Sequence, residues 1–115
     1  MVSNNDRIEA RLQELRDMAA DFASAYAQRT HLDEMKKSKL AILMKQAEIE
    51  GHKTTAAQER EARAHPEYLQ LLEGLKIATE QSEHLRWQLE VAKLGVGVWQ
   101  TMNANERAER RAYGA

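Results

Sequence analysis

The apolar positions of the first half of the chain follow a helical pattern. From Ile8 to Tyr26 they recur every three or four residues, which keeps their side chains on one face of an α-helix. Past Tyr26 the phase shifts, either as a stutter within one helix or as a break near Thr30. No glycine or proline interrupts residues 6–50, so we favour one continuous helix over about residues 5–50. Three residues at its start are suited to N-capping: Asn4, Asn5 and Asp6.

A second long helix is predicted from Pro66 to about Arg111. Proline is favoured at the first helical position, where its missing N–H costs nothing, and Glu67 complements the helix dipole. One face of this helix has heptad spacing, with nine of ten core positions apolar or aromatic, which is typical of a coiled-coil seam. The ten positions are Tyr68, Leu71, Leu75, Ala78, Ser82, Leu85, Leu89, Ala92, Val96 and Trp99.

The opposite face of the second helix carries another set of mostly apolar residues. Its members are Ile77, His84, Trp87, Val91, Leu94 and Val98. A helix with two such faces must be covered on both sides, whereas a single hairpin covers only one. We therefore expect a partner for this second face, most simply another copy of the chain in a dimeric helical bundle. Trp87 is the anchor that we expect to contribute most to such an interface.

Residues 51–65 connect the two helices. Gly51 stands where a helix C-terminal glycine is expected, and Thr55 with Gln58 has the spacing of a capping box. The short helix that follows has almost no large apolar groups, so we expect a solvated connector. The fold expected from these elements is all-α: a long antiparallel, coiled-coil-like helical hairpin that dimerises into a helical bundle.

The similar lengths of the two helices predict a pairing register. If the turn lies midway along the chain, Phe22 lies near Leu94 and Tyr26 near Glu90. The pair Gly95 and Gly97 costs helix stability, at about 1 kcal/mol per glycine relative to alanine. We expect that cost to be offset by close approach of Phe22 or another part of the backbone.

Composition and charge argue against several classes of protein, among them disulfide-linked and membrane-spanning proteins. The 115 residues are enough for a single helical domain over residues 1–115, and the net charge of -1 provides no global basic field for nucleic acid. The absence of cysteine excludes disulfides and thiolate metal sites. The N-terminus lacks a secretory signal pattern, and no window approaches 18 apolar residues. We expect a soluble cytoplasmic protein with no membrane contact.

The candidate chemistry is sparse. The four histidines have neither His-x-x-x-His nor Glu-x-x-His spacing, and no nucleophile elbow or phosphate-binding loop is present. We therefore expect no catalytic residue, no metal, no cofactor and no enzymatic activity. Two basic clusters are possible phosphate contacts, although a solvated charged surface is the favoured interpretation of both. They comprise Lys36, Lys37 and Lys39 in one, and Arg107, Arg110 and Arg111 in the other.

The segment from Glu59 to Arg111 resembles small helical proteins encoded by tailed bacteriophages. The resemblance is carried by ER-x-AR-x-x-PEY-x-x-x-LEGL-x-x-A and by LR-W-x-LE-x-A, followed by W-x-x-x-x-ANERAER. It implies a phage or prophage accessory protein, of a kind often found among recombination or replication genes, acting in the bacterial cytoplasm. It implies no catalytic residues.

The resulting functional hypothesis is a non-enzymatic helical accessory protein that self-associates and binds a macromolecular partner. Two alternatives remain open at this point. One is a nucleic-acid-binding accessory factor in phage recombination or replication that uses the basic clusters, and the other is an inhibitor of a host enzyme.

Overall fold

The computed structural model describes residues 3–113, and within that range it is all-α, without strands. Its three helices are α1 (Asn4–Ile49), α2 (Thr55–Ala64) and α3 (Pro66–Tyr113). Helices α1 and α3 form the predicted long helical hairpin. Pro66 is the first residue of α3, as its N-terminal preference predicts, and α3 continues two residues past the predicted end at Arg111.

Helix α1 begins with a reciprocal cap formed by Ser3 and Asp6. The Asp6 N–H donates to Ser3 Oγ at 3.2 Å, and the Ser3 N–H donates to the Asp6 carboxylate at 3.4 Å. Ser3 is therefore the N-cap, rather than one of the predicted asparagines. The helix is continuous through Thr30, whose hydroxyl donates to the Tyr26 carbonyl at 3.0 Å. The phase shift of the apolar pattern is thus a stutter within one helix.

Helix α1 ends at Ile49, and the predicted glycine, Gly51, terminates it from the following turn. Gly51 has a φ of 110°, a left-handed conformation that side chains disfavour. Its N–H donates to the Glu48 carbonyl at 3.1 Å, and the His52 N–H donates to the Ala47 carbonyl at 3.0 Å. These two bonds form a Schellman motif, which satisfies carbonyl groups that the helix end would otherwise leave without donors.

Helix α2 begins with a different cap from the one predicted. Thr54 is the N-cap, and its Oγ1 accepts a hydrogen bond from the Ala57 N–H at 3.1 Å. The predicted capping box of Thr55 and Gln58 is wrong. The Gln58 side-chain amide instead donates to the His52 carbonyl at 2.9 Å and ties the start of α2 to the preceding turn.

The chain divides into two compact units. We call Ala23–Glu83 the central unit, and Met1–Phe22 with His84–Ala115 the terminal unit. The core of the central unit contains one residue from each helix: Leu43, Ala62 and Tyr68, which are 2%, 1% and 5% exposed. The expectation that α2 is only a solvated connector is therefore wrong. The small side chain of Ala62 lets α2 lie close to its neighbours, so even an alanine-rich helix contributes to the core.

Helix α2 also changes the register between the two long helices. Lys39 Nζ lies 2.7 Å from the carboxylate of Glu67, whereas the predicted register places Ile49 beside Glu67. The last turns of α1 contribute Leu43 to a core shared with α2, so α3 begins level with an earlier part of α1. The predicted register is wrong because it placed the turn midway along the chain and expected no packing between the connector and the long helices.

The heptad seam of α3 is confirmed at nine of its ten positions. In the central unit Tyr68, Ala78 and Ser82 are buried, and the other two seam residues are half-buried. In the terminal unit four seam residues are half-buried, but Trp99 remains 43% exposed. The seam is therefore only partly covered toward the C-terminal end of α3. The half-buried members are Leu71, Leu75, Leu85, Leu89, Ala92 and Val96.

The glycines of α3 do not mark a close approach within the chain. A Cβ added at Gly95 or Gly97 would meet nothing within 4 Å. The prediction that Phe22 packs against these positions is therefore wrong. Both glycines lie on the exposed surface of α3, where no other described part of the chain occupies the space that a side chain would fill.

Candidate functional site

The most distinctive surface of the terminal unit is an exposed row of apolar side chains on α3. We call it the α3 apolar stripe. Successive members are four, three, four and four residues apart, so they share one face of the helix. Each is more than half exposed: Trp87 59%, Val91 66%, Leu94 70%, Val98 60% and Met102 65%.

The position of the stripe follows from the geometry of α3. The half-buried seam residues, such as Leu85 and Val96, lie on roughly the opposite side of the same helix. Residues 87–102 span about 22 Å at ~1.5 Å per residue. The stripe residues along that length are all apolar, whereas the face of a surface helix that points away from the core is normally charged or polar. The stripe is thus a second apolar face that the chain itself does not cover.

Charged residues border the stripe without interrupting it. The Arg86 guanidinium lies 4.7 Å from the centroid of the Trp87 ring, a cation–π contact that orients the indole. Lys93 Nζ lies 3.3 Å from the carboxylate of Glu90. These exposed pairs contribute little to stability, but they keep the borders of the stripe polar.

All six residues that the sequence assigns to the second face are exposed in the structure. Ile77, at 56% exposure, belongs to the central unit, and the other five belong to the terminal unit. Their role as an interface stays a prediction. Met102 was missed by sequence reasoning, although it lies four residues after Val98 and continues the same spacing. Residues assigned to the second face are Ile77, His84, Trp87, Val91, Leu94 and Val98.

The predicted phosphate-binding lysines are each paired with a carboxylate. Lys36 Nζ lies 3.5 Å from Asp33, Lys37 Nζ lies 3.2 Å from Glu34, and Lys39 Nζ lies 2.7 Å from Glu67. These ion pairs offset the positive charge that a phosphate would meet.

The second basic cluster lies in the terminal unit, not in the central unit with the lysines. Its members are Arg107, Arg110 and Arg111, and all three are exposed. Arg110 lies 3.9 Å from the Glu106 carboxylate. Nucleic-acid binding by either cluster stays a prediction.

The central unit contains a shallow groove of about 330 Å³ between α1 and α3. Its polar groups are already engaged: the Thr30 hydroxyl donates to the Tyr26 carbonyl, and the Thr79 hydroxyl donates to the Leu75 carbonyl. Arg29 forms an ion pair with Glu83 at 3.3 Å. Tyr26 lines this groove with Thr79, not with the predicted Glu90. The lining consists of Tyr26, Arg29, Thr30, Asp33, Leu75 and Thr79.

Residues 3–113 contain no group of three or more histidine, aspartate or glutamate side chains placed to hold a metal ion. Within the same range, no helix is both long enough and apolar enough to cross a membrane. Comparison with protein-family models, with curated proteins and with solved structures finds no match to the chain. The interpretation of the surface therefore rests on its own chemistry.

Proposed function

We propose that the chain is a non-enzymatic helical interaction protein that acts by packing the α3 apolar stripe against another protein chain. The observation that carries this proposal is the continuous exposure of Trp87, Val91, Leu94, Val98 and Met102 on one helix face. Contiguous exposed apolar patches larger than a few hundred Å² are rare on soluble monomers and mark interaction sites.

The energetics favour a covered stripe. Burying one such side chain completely stabilises an assembly by roughly 1.5–3 kcal/mol, so even partial burial of five side chains is a large driving force. Trp87 adds a rigid aromatic anchor, a residue type enriched among the side chains that dominate binding energy. Its contact with Arg86 orients the ring before binding, so binding orders it at little entropic cost.

The groove of the central unit is a weaker candidate for function. It is shallow, and its hydroxyls donate to carbonyls of their own helices. Catalysis normally requires a concave site with acid, base or nucleophilic groups aimed at a substrate. The α3 apolar stripe, in contrast, exposes large apolar side chains that a protein partner could bury. Binding through the stripe is therefore the preferred function.

The resemblance to small phage proteins supplies a setting for this proposal. The resembling segment, Glu59–Arg111, includes the whole α3 apolar stripe. We infer an accessory role in phage recombination or replication, in the cytoplasm of a bacterial host, where the stripe engages its protein partner.

Two variants with matched chemistry test the proposal. Leu94→Glu places a charge in the stripe, and Ile42→Glu places the same charge at a 61% exposed position of α1 in the central unit. The tagged chain is expressed in bacterial cells, and its native size is measured in the extract by gel filtration. The helicity of each purified protein is checked by circular dichroism. We expect wild type and Ile42→Glu to elute in an assembly, and Leu94→Glu to elute as a folded monomer.

Identical elution of all three proteins would contradict a role for the stripe. Titration of labelled single- and double-stranded DNA at low and high salt tests the nucleic-acid alternative with the same proteins. Salt-sensitive binding that survives Leu94→Glu would favour the basic clusters over the stripe, because phosphate contacts weaken as salt rises.

A further inference from the structure

The spacing of residues along the α3 apolar stripe is the same in both directions. Counted from Trp87 to Met102 with Gly95 included, the steps are four, three, one, three and four. Such a pattern is self-complementary when two copies of the helix pack antiparallel about a two-fold axis. We propose that the stripe is covered by a second copy of this chain, antiparallel, with the axis between residues 94 and 95. This inference rests on the proposed function and names its partner.

The antiparallel pairing sets Trp87 and Leu94 level with smaller residues. Trp87 comes level with Met102 of the second copy, Val91 with Val98, and Leu94 with Gly95. Space beside Gly95 is open, since an added Cβ would meet nothing within 4 Å. Two glycines next to the axis therefore let the helix backbones approach while the leucines fill the centre. A parallel pairing in register would instead set tryptophan level with tryptophan and glycine with glycine.

The area that such a pairing covers is close to what a specific interface needs. The five side chains expose on the order of 500 Å² per copy, given their exposed fractions of 59–70% and the surface areas of such residues. Two copies would bury on the order of 1,000 Å² from these groups alone, before bordering residues are added. Stable interfaces start at roughly 1,200 Å² in total. The expected dimer is therefore specific but concentration-dependent.

The charges beside the stripe are compatible with the antiparallel pairing. Arg86, Glu90 and Lys93 border the same flank of the stripe, all in its first half. An antiparallel copy brings the second half of its own flank against them, and that half offers Gly97 and Ala104, which carry no charge. No like charges therefore meet along this flank.

The ends of the paired region are polar. His84 of one copy comes level with Asn105 of the other at both ends, and both residue types hydrogen-bond readily. The pairing thus has an apolar centre and a polar rim, as specific interfaces do.

The glycines supply a matched pair of variants for the purified protein. Gly95→Ala and Gly97→Ala both remove a helix glycine with open space around it, so each raises the monomer's Tm by roughly 3–6 °C. Sedimentation equilibrium between about 1 and 500 µM then measures self-association. We expect wild type and Gly97→Ala to dimerise alike, and Gly95→Ala to weaken the dimer at least tenfold. Equal dimerisation of the two variants would overturn the placement of the axis.

The lack of native cysteine allows the direction of pairing to be measured with introduced thiols. Val91→Cys and Val98→Cys are each level with the other across the proposed axis. Each residue is about 10 Å along the axis from its own counterpart, beyond the ~7 Å Cα separation that a disulfide spans. Mild oxidation of the mixed variants should give chiefly the 91–98 heterodimer. Chiefly 91–91 and 98–98 disulfides would overturn the antiparallel arrangement.

Two outcomes separate this inference from the proposed function. A folded chain that stays monomeric at every concentration would overturn the second copy as partner. The extract experiment with Leu94→Glu and Ile42→Glu is independent of that result, because any protein partner registers in it. Loss of assembly in Leu94→Glu would then still support the stripe as a binding surface. A purified chain that stays monomeric, together with no effect of Leu94→Glu in the extract, would contradict both proposals.

Discussion

The two units of the chain bury their apolar residues to different degrees. In the central unit, Leu43, Ala62 and Tyr68 form a core with each at most 5% exposed. In the terminal unit, no described residue is buried to that extent; its best-covered apolar residues are half-exposed, and Trp87 and Leu94 lie open to solvent.

The difference comes from the number of helices in each unit. The central unit has a third helix, α2. This helix packs against the end of α1 and contributes Ala62 to the core with Leu43 and Tyr68. The terminal unit has only the first part of α1 and the second part of α3. Two helices bury one stripe of each, so an additional apolar stripe stays uncovered within the chain.

The largest expected effect tests this difference directly. Leu43→Ala removes a 2% exposed side chain from the core, and we expect it to lower the free energy of unfolding by about 3 kcal/mol. Leu94→Ala, at a 70% exposed position, should lower it by less than about 0.5 kcal/mol in the monomer. Urea denaturation at low protein concentration measures both. Similar losses for the two variants would remove the distinction between the units.

A second prediction concerns the one polar residue buried in the central unit. Ser82 is 1% exposed, and its Oγ has no hydrogen-bond partner. Ser82→Ala should therefore raise the free energy of unfolding by about 1–2 kcal/mol, since it removes an unsatisfied buried hydroxyl. The exposed Ser24 of α1 is the matched control: Ser24→Ala gains only the helix-propensity difference of roughly 0.5 kcal/mol. Equal gains would mean that the Ser82 hydroxyl finds a partner in solution.

A third prediction sharpens the role of the junction between α2 and α3. The Glu67 N–H donates to His65 Nδ1 at 3.1 Å, so the imidazole caps the first turn of α3. His65→Ala should cost about 1 kcal/mol, and His65→Asn should recover most of that loss because its side-chain oxygen also accepts at an N-cap. Thermal and urea unfolding measure the two. The exposed His31, replaced by alanine, is expected to change stability very little.

The smallest expected effect is a pH dependence at Lys39 and Glu67. The hydrogen bond and the charge of Lys39 lower the pKa of Glu67. A lowered carboxylate pKa contributes stability that is complete above the ordinary glutamate value of about 4.3 and is lost as the pH falls through the lowered value. The stability difference between wild type and Glu67→Gln should thus shrink between neutral pH and about pH 3. A difference that stays constant over that range would mean that the pair does not contribute.

Much of the fold could be predicted from local sequence because its determinants are local. Proline at residue 66, glycine at residue 51 and the heptad seam each act through neighbours within a few residues. The register could not be predicted, because it depends on Ala62 packing in the core with Leu43, and an alanine gives no apolar signal in a sequence pattern.

The candidate site was predictable as a face but not in its details. The spacing of apolar residues predicts that Trp87, Val91, Leu94 and Val98 share one face of α3. The prediction omits Met102, which lies four residues after Val98 on the same face. The sequence pattern predicts a contact inside the chain for Gly95 and Gly97, because it shows that a helix glycine is unusual without showing which neighbour it accommodates. An added Cβ at Gly95 would meet nothing within 4 Å, so a contact inside the chain does not account for this glycine.

The core shared by α1, α2 and α3 also bears on the order in which the chain folds. Leu43 and Tyr68 are 25 positions apart, so the loop that they close is short, whereas the segments of the terminal unit are separated by the whole of residues 23–83. Closing a short loop costs less entropy, and rates rise as contacts become more local. Folding should therefore nucleate around α2 and proceed outward to the chain ends. The terminal unit would form last and exchange its amide hydrogens first.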